Sequence, residues 1–263
     1  MNTVLKCTTE ELMLLVNLCG YPDVAKGIGE SSLGEKSEDA WEAVYEGAAH
    51  QLMLKEVWDV QKAAENEVPL NKELQTFIHH YVQSQNIIRS ANVTTNETLL
   101  FHEMPNDKWL MHHVIADLIH EFFFVEESDI EKHILPFSRY NQVEGEALSS
   151  FTLTDHQFDL LSKKENLKEV RSLAKLKKEE EAAFDLFVHS IKINDWSLHN
   201  SSLLKVDAEA GESSIEEIMF HVPSEYGIWV LNYDEDLVVH ASNVSASEFM
   251  SMIRSRLLLK QEA

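Results

Sequence analysis

Thirteen histidines, 45 acidic side chains and two cysteines are the groups from which this chain could build a metal site or an acid–base catalyst. Their spacing argues against both. His79-His80, His102, His112-His113 and His120 include no His-x-x-x-His pair and no His-Glu-x-x-His, the spacings that put two ligands on one helical face. Neighbouring histidines on a strand point to opposite faces, so His112 and His113 are not expected to share a metal. Cys7 and Cys19 stand twelve residues apart, and nothing beside either would lower a thiol pKa. Gly-x-Gly-x-x-Gly, Walker-type Gly-Lys-Ser/Thr and Gly-x-Ser-x-Gly are missing from the sequence, and eight glycines leave no phosphate-cradling loop. Glu126-Glu127 and Glu179-Glu180-Glu181 fall near expected helix starts, where carboxylates complement the dipole without a reaction. The expectation is a protein that binds rather than catalyses, with no catalytic residue, no cofactor and no metal.

Composition narrows the class of partner. With 263 residues and 44% hydrophobic content, the chain can bury one large core or two small ones. A net charge of −23 disfavours nucleic acid and anionic membranes, whose phosphates would be repelled over most of the surface. No apolar run reaches the roughly eighteen residues of a membrane helix, and the first residues lack the pattern of a signal peptide. Two unframed cysteines fit reduced thiols, so a cytoplasmic location is expected. The acidity serves solubility, or holds an apolar cargo without co-aggregation. Lys163-Lys164 and Lys175, Lys177 and Lys178 interrupt it beside Glu179, as on a solvated helix hairpin.

The elements that would position these groups repeat along the chain. Glu97 to His102 resembles Glu216 to His221, with Phe101 and Phe220 lying 119 residues apart. Trp109 then matches Trp229, Asp117-Leu118 matches Asp236-Leu237, and Val125 with Ile130 and Ile134 matches Val244 with Phe249 and Ile253. Each half opens on a capping box, Thr8 with Glu11 and Thr154 with Gln157, before an apolar helix face. Leu12, Leu15, Val16 and Cys19 form one helical stripe, Trp41 to Leu52 a second, and Leu74, Phe77, Ile78 and Tyr81 a third. Phe158 and Leu161, then Phe184, Phe187, Val188 and Ile191, mark two helices in the second half. Strands are expected at 87–93, 98–104, 109–115 and 118–124, and again at 196–206, 215–222, 228–232 and 237–240, with short turns that require antiparallel meanders. Each meander ends in a helix, the second capped by Ser245 and Glu248. The fold class expected is therefore α+β. It has two halves related by a pseudo-two-fold, 1–140 and 151–263, with a linker at 141–150 and sheets joined centrally. The histidines His102 and His221 fall at equivalent strand positions, which favours a structural role, and the five tryptophans are expected mostly in the core.

This pattern resembles the EspG-type cytosolic chaperones of type VII (ESX) secretion. The resemblance rests on the opening helix at Thr8-Thr-Glu-Glu-Leu, the strands around Leu99-Leu-Phe101 and Trp109-Leu-Met111, and the closing Tyr226-Gly-Ile-Trp-Val-Leu-Asn-Tyr233 and Ser245-to-Ile253 segments. It implies a chaperone that shields an apolar helical part of a secretion substrate, of the WXG100/LXG or PE–PPE kind. It also implies a contact surface on the hairpin carrying Pro105, Asn106 and Trp109 and on the helices carrying Phe158, Leu161, Phe184 and Phe187. By spacing alone, Phe158, Phe184 and Phe187 read as core packing. Two alternatives stand beside the chaperone: a small-molecule or metal-dependent enzyme using the histidine-rich strands, and a regulatory scaffold that dimerises through a free sheet edge. The chain is expected as a monomer or homodimer. The halves differ by about 27 residues in their helical parts, which is where a single, non-duplicated partner site is expected.

Overall fold

The computed structural model describes residues 3–105, 108–139, 149–207 and 212–258. In chain order these form β1 (Thr3–Thr8), α1 (Thr9–Leu18), α2 (Pro22–Leu33), α3 (Glu38–Leu54), α4 (Val60–Ala64), α5 (Lys72–Val82), β2 (Asn86–Asn92), β3 (Glu97–Met104), β4 (Lys108–Ile115), β5 (Ile119–Val125) and α6 (Glu127–Phe137). A second run follows: β6 (Ser150–Thr154), α7 (Asp155–Leu161), α8 (Leu167–Ala174), α9 (Lys178–Ile193), β7 (His199–Asp207), β8 (Glu212–Ser224), β9 (Gly227–Tyr233), β10 (Val238–Val244) and α10 (Ala246–Ile253). The chain divides into two compact units, the first Met1–Ile87, Glu97–Glu127 and Lys205–Ser214, the second Ile88–Asn96, Ser128–Leu204 and Ile215–Ala263. Residues 141–148 of the expected linker, and Asn106, lie outside the described residues. No helix among the described residues is long and apolar enough to cross a membrane.

In the first unit the strands lie in the order β1-β5-β4-β3 and pair antiparallel. Strand alternation sends Cys7, Met104, Leu110 and Phe122 to one face. There they meet Leu12, Leu15 and Val16 of α1, Ala48 and Leu52 of α3, and Phe77 and Ile78 of α5. These are the helical stripes read from the sequence, and each fully enclosed Leu or Phe contributes about 2 to 3 kcal/mol. In the second unit the order is β2-β7-β8-β9-β10-β6. Phe151 and Leu153 of β6, Trp229 and Leu231 of β9, and Val239 and Ala241 of β10 face Leu161, Val170, Phe184 and Phe187 of α7, α8 and α9.

The eight expected strands are present, displaced by a residue or more at their ends. Two more were not expected: β1 pairs with β5 and β6 with β10, each running directly into a capped helix with no turn between. Cys7 accordingly sits in a strand rather than a helix. Helix α2 was also unforeseen. Pro22 occupies its first turn, where the missing N–H costs nothing.

All three capping boxes form as read: Thr8 with Glu11, Thr154 with Gln157, and Ser245 with Glu248. Glu11 does more than cap. Its side chain is fully enclosed, and Oε2 accepts both the Thr8 backbone N–H at 2.8 Å and the Lys55 ammonium at 2.6 Å. A buried carboxylate stripped of its cation is far costlier than a lost cap. Lys55→Met should therefore lower stability by about 3 kcal/mol, against about 1 kcal/mol for Thr8→Ala or Thr154→Ala, as read from urea unfolding monitored by circular dichroism.

Candidate functional site

The chemistry-bearing histidines converge, and they do so inside the first unit. The β3–β4 ladder sets His102 opposite Leu110 and His112 opposite Leu100, while the β4–β5 ladder sets His112 opposite Phe122 and Val114 opposite His120. His102, His112 and His120 thus lie on one diagonal across three strands. His112 Nε2 is 2.8 Å from His120 Nδ1, and His120 Nε2 is 3.0 Å from Thr9 Oγ1, whose hydroxyl donates to the Asp117 carbonyl at 3.0 Å. That chain fixes the tautomers: His120 donates from Nε2 to Thr9 and accepts at Nδ1 from His112 Nε2. The His112 ring stacks on Phe122 at 4.2 Å, and Tyr81 meets His102, His112 and Phe122 edge-on. His113 points the other way and pairs with Glu97 at 3.0 Å.

Enclosure keeps this diagonal uncharged. Burial lowers His102 to about 3 and His120 to about 4, the latter against the opposing pull of Asp117 and Glu10. Burial, and then its histidine neighbours, holds His112 well below the ordinary range. In the second unit burial likewise lowers His221 to about 3 and His199 to about 4, and their rings stack at 5.8 Å. Burial, and then Glu11, pushes the Cys7 thiol far up, away from nucleophilic use. No group of three or more His, Cys, Asp or Glu among the described residues is arranged to hold a metal ion.

The open surface lies at the other end of the same strands. A cleft of about 590 Å³ is lined by Val4 and Leu5 of β1, Phe124 of β5, Met104, Pro105 and Lys108 of the β3–β4 hairpin, Leu74, Phe77 and His80 of α5, and Val57. Glu56 and Glu73 stand on its rim. Phe124 is 50% exposed and Val4 41%. Solvent-facing apolar groups gathered around a cleft mark a binding surface. Pro105, expected in such a site, lines this one. Trp109 does not, because alternation turns it from Lys108 and Leu110 to the opposite face of the strand, where it is buried.

The corresponding place in the second unit is filled. In ladder register Phe124 and Met104 correspond to Asn243 and Ser224. With its amide turned to satisfy both ends, Asn243 donates to the Tyr226 carbonyl at 2.7 Å and accepts from Ser224 Oγ at 3.0 Å and Trp229 Nε1 at 3.2 Å. Gly227, at φ +119°, carries the chain so close that an added Cβ would stand 2.5 Å from both the Asn243 side-chain amide and the Val244 carbonyl. About 30 Å³ of space remains beside Leu186, His189 and Tyr226.

Of the helix residues expected at a partner surface, Phe184, Phe187 and Leu161 are enclosed in the second core. Phe158 is half-buried, and with Leu161, Phe187, Ile191, Trp196 and Leu198 it lines a smaller cleft of about 180 Å³. Phe124 and Val4 were missed as site residues. The run Phe122-Phe123-Phe124 held a signal for the first: alternation returns Phe124 to the face of Phe122, at the strand end beside the hairpin.

Residues 5–252 match the family described as Uncharacterised protein YfjC. No curated protein matches the sequence significantly. Among solved structures, the chain is similar to that of the Mycobacterium tuberculosis type VII secretion system chaperone EspG5 in complex with a PE25–PPE41 dimer. The TM-score is 0.58 at 8% sequence identity, over 96% of this chain and 95% of that one. At that identity the likeness is one of fold, and the fold is EspG-like: α+β, with antiparallel strands and helices.

Two outcomes follow from these geometries. The buried histidines stay neutral when folded but protonate near 6.5 once released, so below that pH the unfolded chain binds more protons. Stability is complete above about pH 6.5 and falls as the pH drops toward 4, by about 1.4 kcal/mol per pH unit for each such histidine. His102→Leu should reduce the slope of unfolding free energy between pH 6.5 and 5 by about that amount in urea titrations. Gly227→Ala should cost more than about 2 kcal/mol, from the positive φ and the two close contacts together, measured the same way.

Proposed function

We propose that this chain, which belongs to the YfjC family, is a cytoplasmic chaperone or adaptor that shields an apolar helical segment of a secretion substrate in the cleft beside Pro105. The observation that carries the reading is the contrast between equivalent places in the two units: about 590 Å³ of apolar cleft in one, about 30 Å³ in the other. The cleft exposes Phe124, Val4 and Pro105 to solvent at the cost of unfavourable hydration, which a bound apolar face would remove. An amphipathic helix presents such a face as a stripe, and the acidic remainder of the surface keeps the loaded protein soluble.

The fold shared with EspG5 supports a binding role, and the complex named for that protein contains a PE25–PPE41 dimer. For this chain the corresponding cargo would be a small helical secretion protein of the WXG100/LXG or PE–PPE kind, held by a monomer or homodimer. The enclosed histidines fit this reading better than an enzymatic one, because the diagonal faces packed side chains rather than the cleft.

Co-expression with small helical secretion proteins encoded near its gene should yield a complex that survives gel filtration. Phe124→Glu, which places a charge on the cleft floor, should weaken that complex at least tenfold by fluorescence anisotropy. Tyr226→Ser, at the filled place, should leave affinity within twofold. Equal binding by Phe124→Glu and the parent would remove the cleft from the reading. Failure of every such protein to co-purify would remove the chaperone.

A further inference from the structure

The smaller cleft, in the second unit, differs in kind from the first. Three aromatic rings, Phe158, Phe187 and Trp196, contribute to a space of about 180 Å³, with Asp159 and Ser162 its polar members. The Trp196 indole N–H is spent on the Leu161 carbonyl, so the ring offers the cleft no free donor. Phe187 is held from behind by Phe151 and Trp229, and Phe158 packs edge-on against Tyr233 at 6.4 Å. The floor is therefore aromatic, packed against further rings and without a free donor. An apolar cavity of about 150 Å³ admits a benzene-sized molecule, so this one takes a body of similar size.

The edge carries the opposite character. Asp159 is exposed, and among the described residues no cationic side chain lines the cleft. Asp155 and Asp159 both lie within electrostatic reach of Tyr233, whose hydroxyl, already raised by burial, they raise further. Two carboxylates thus stand near the ring that packs on Phe158. A chain of net charge −23 draws cations toward every such recess. Aromatic faces attract a cation by their quadrupole, and they do so best where water is displaced.

We infer that this cleft is a binding site for a small organic monocation with a benzene-sized apolar body, its ring or alkyl part against Phe158, Phe187 and Trp196 and its ammonium toward Asp159. The site is independent of the cleft beside Pro105.

Benzylammonium, its neutral isostere benzyl alcohol and the anion phenylacetate are the probes, titrated by calorimetry and saturation-transfer NMR at 0.3 M salt to suppress diffuse attraction. Benzylammonium should saturate with a Kd at or below the millimolar range, benzyl alcohol should bind at least fivefold more weakly, and phenylacetate should not bind. Asp159→Asn should bring the two affinities within twofold, whereas Asp236→Asn, an exposed control, should leave the preference intact. Ser162→Trp, a substitution at the solvent-exposed mouth, should block both probes while the circular dichroism spectrum stays unchanged. Equal affinity for ammonium and alcohol in the parent, persistence of binding in Ser162→Trp, or no saturable binding at 10 mM probe would each overturn the assignment.

Discussion

The Thr9 backbone N–H donates to the Leu118 carbonyl at 2.9 Å, and the Asp155 N–H donates to the Leu237 carbonyl at 3.1 Å. Both donors are the first residues of helices, where backbone N–H groups have no partner within the helix. Both acceptors sit at tight turns with residues in the left-handed region, Ala116 and Asp117 in one unit and Leu237 in the other. A single bond in each unit therefore ties three things together: the edge strand, the helix that grows from it, and the turn of the neighbouring hairpin. Once α1 starts at Thr9, its periodicity sends Leu12, Leu15 and Val16 inward and drops Glu11 beneath Lys55. Thr9 also receives His120, so the corner anchors the histidine diagonal.

Much of this was legible because it is local. A capping box needs four residues and a helical stripe eight, and the three boxes and the stripes of α1, α3, α5, α7 and α9 were read in place. The edge strands were not legible. Thr3–Thr8 and Ser150–Thr154 are short, pass into helices with no turn residue between, and become strands only through pairing with residues more than eighty positions away. Helix α2 hid for a different reason: its Gly and Ser content is poor for a helix, and packing against α1 overrides it.

The site residues divide along the same line. Spacing placed Phe184 and Phe187 on a stripe, and a stripe reads alike whether a sheet or a partner covers it. In the structure Phe151 and Trp229 cover it. The diagonal of His102, His112 and His120 was equally invisible, since it exists only in the ladder register, where positions eight and ten apart become neighbours. Adjacency in sequence had suggested only that His112 and His113 diverge, which they do.

The corner also decides where a binding surface can be. In the first unit it closes one end of the strands, at Ile115, Ile119 and Thr8, and buried histidines close the middle, leaving the end at Met104, Lys108 and Phe124. The second unit has the same closed end, at Leu237 and Asp155, and the same remaining one, at Ser224, Gly227 and Val244. One difference is the side chain that reaches into that end. Asn243 has polar partners in Ser224, Tyr226 and Trp229, which hold it against its hairpin with only about 30 Å³ left beside it. Phe124 has none: a phenyl ring at that place can only stand beside the hairpin and remain half in water. The amide links its hairpin by hydrogen bonds and the phenyl cannot, so the strand end of the first unit presents an apolar wall to solvent.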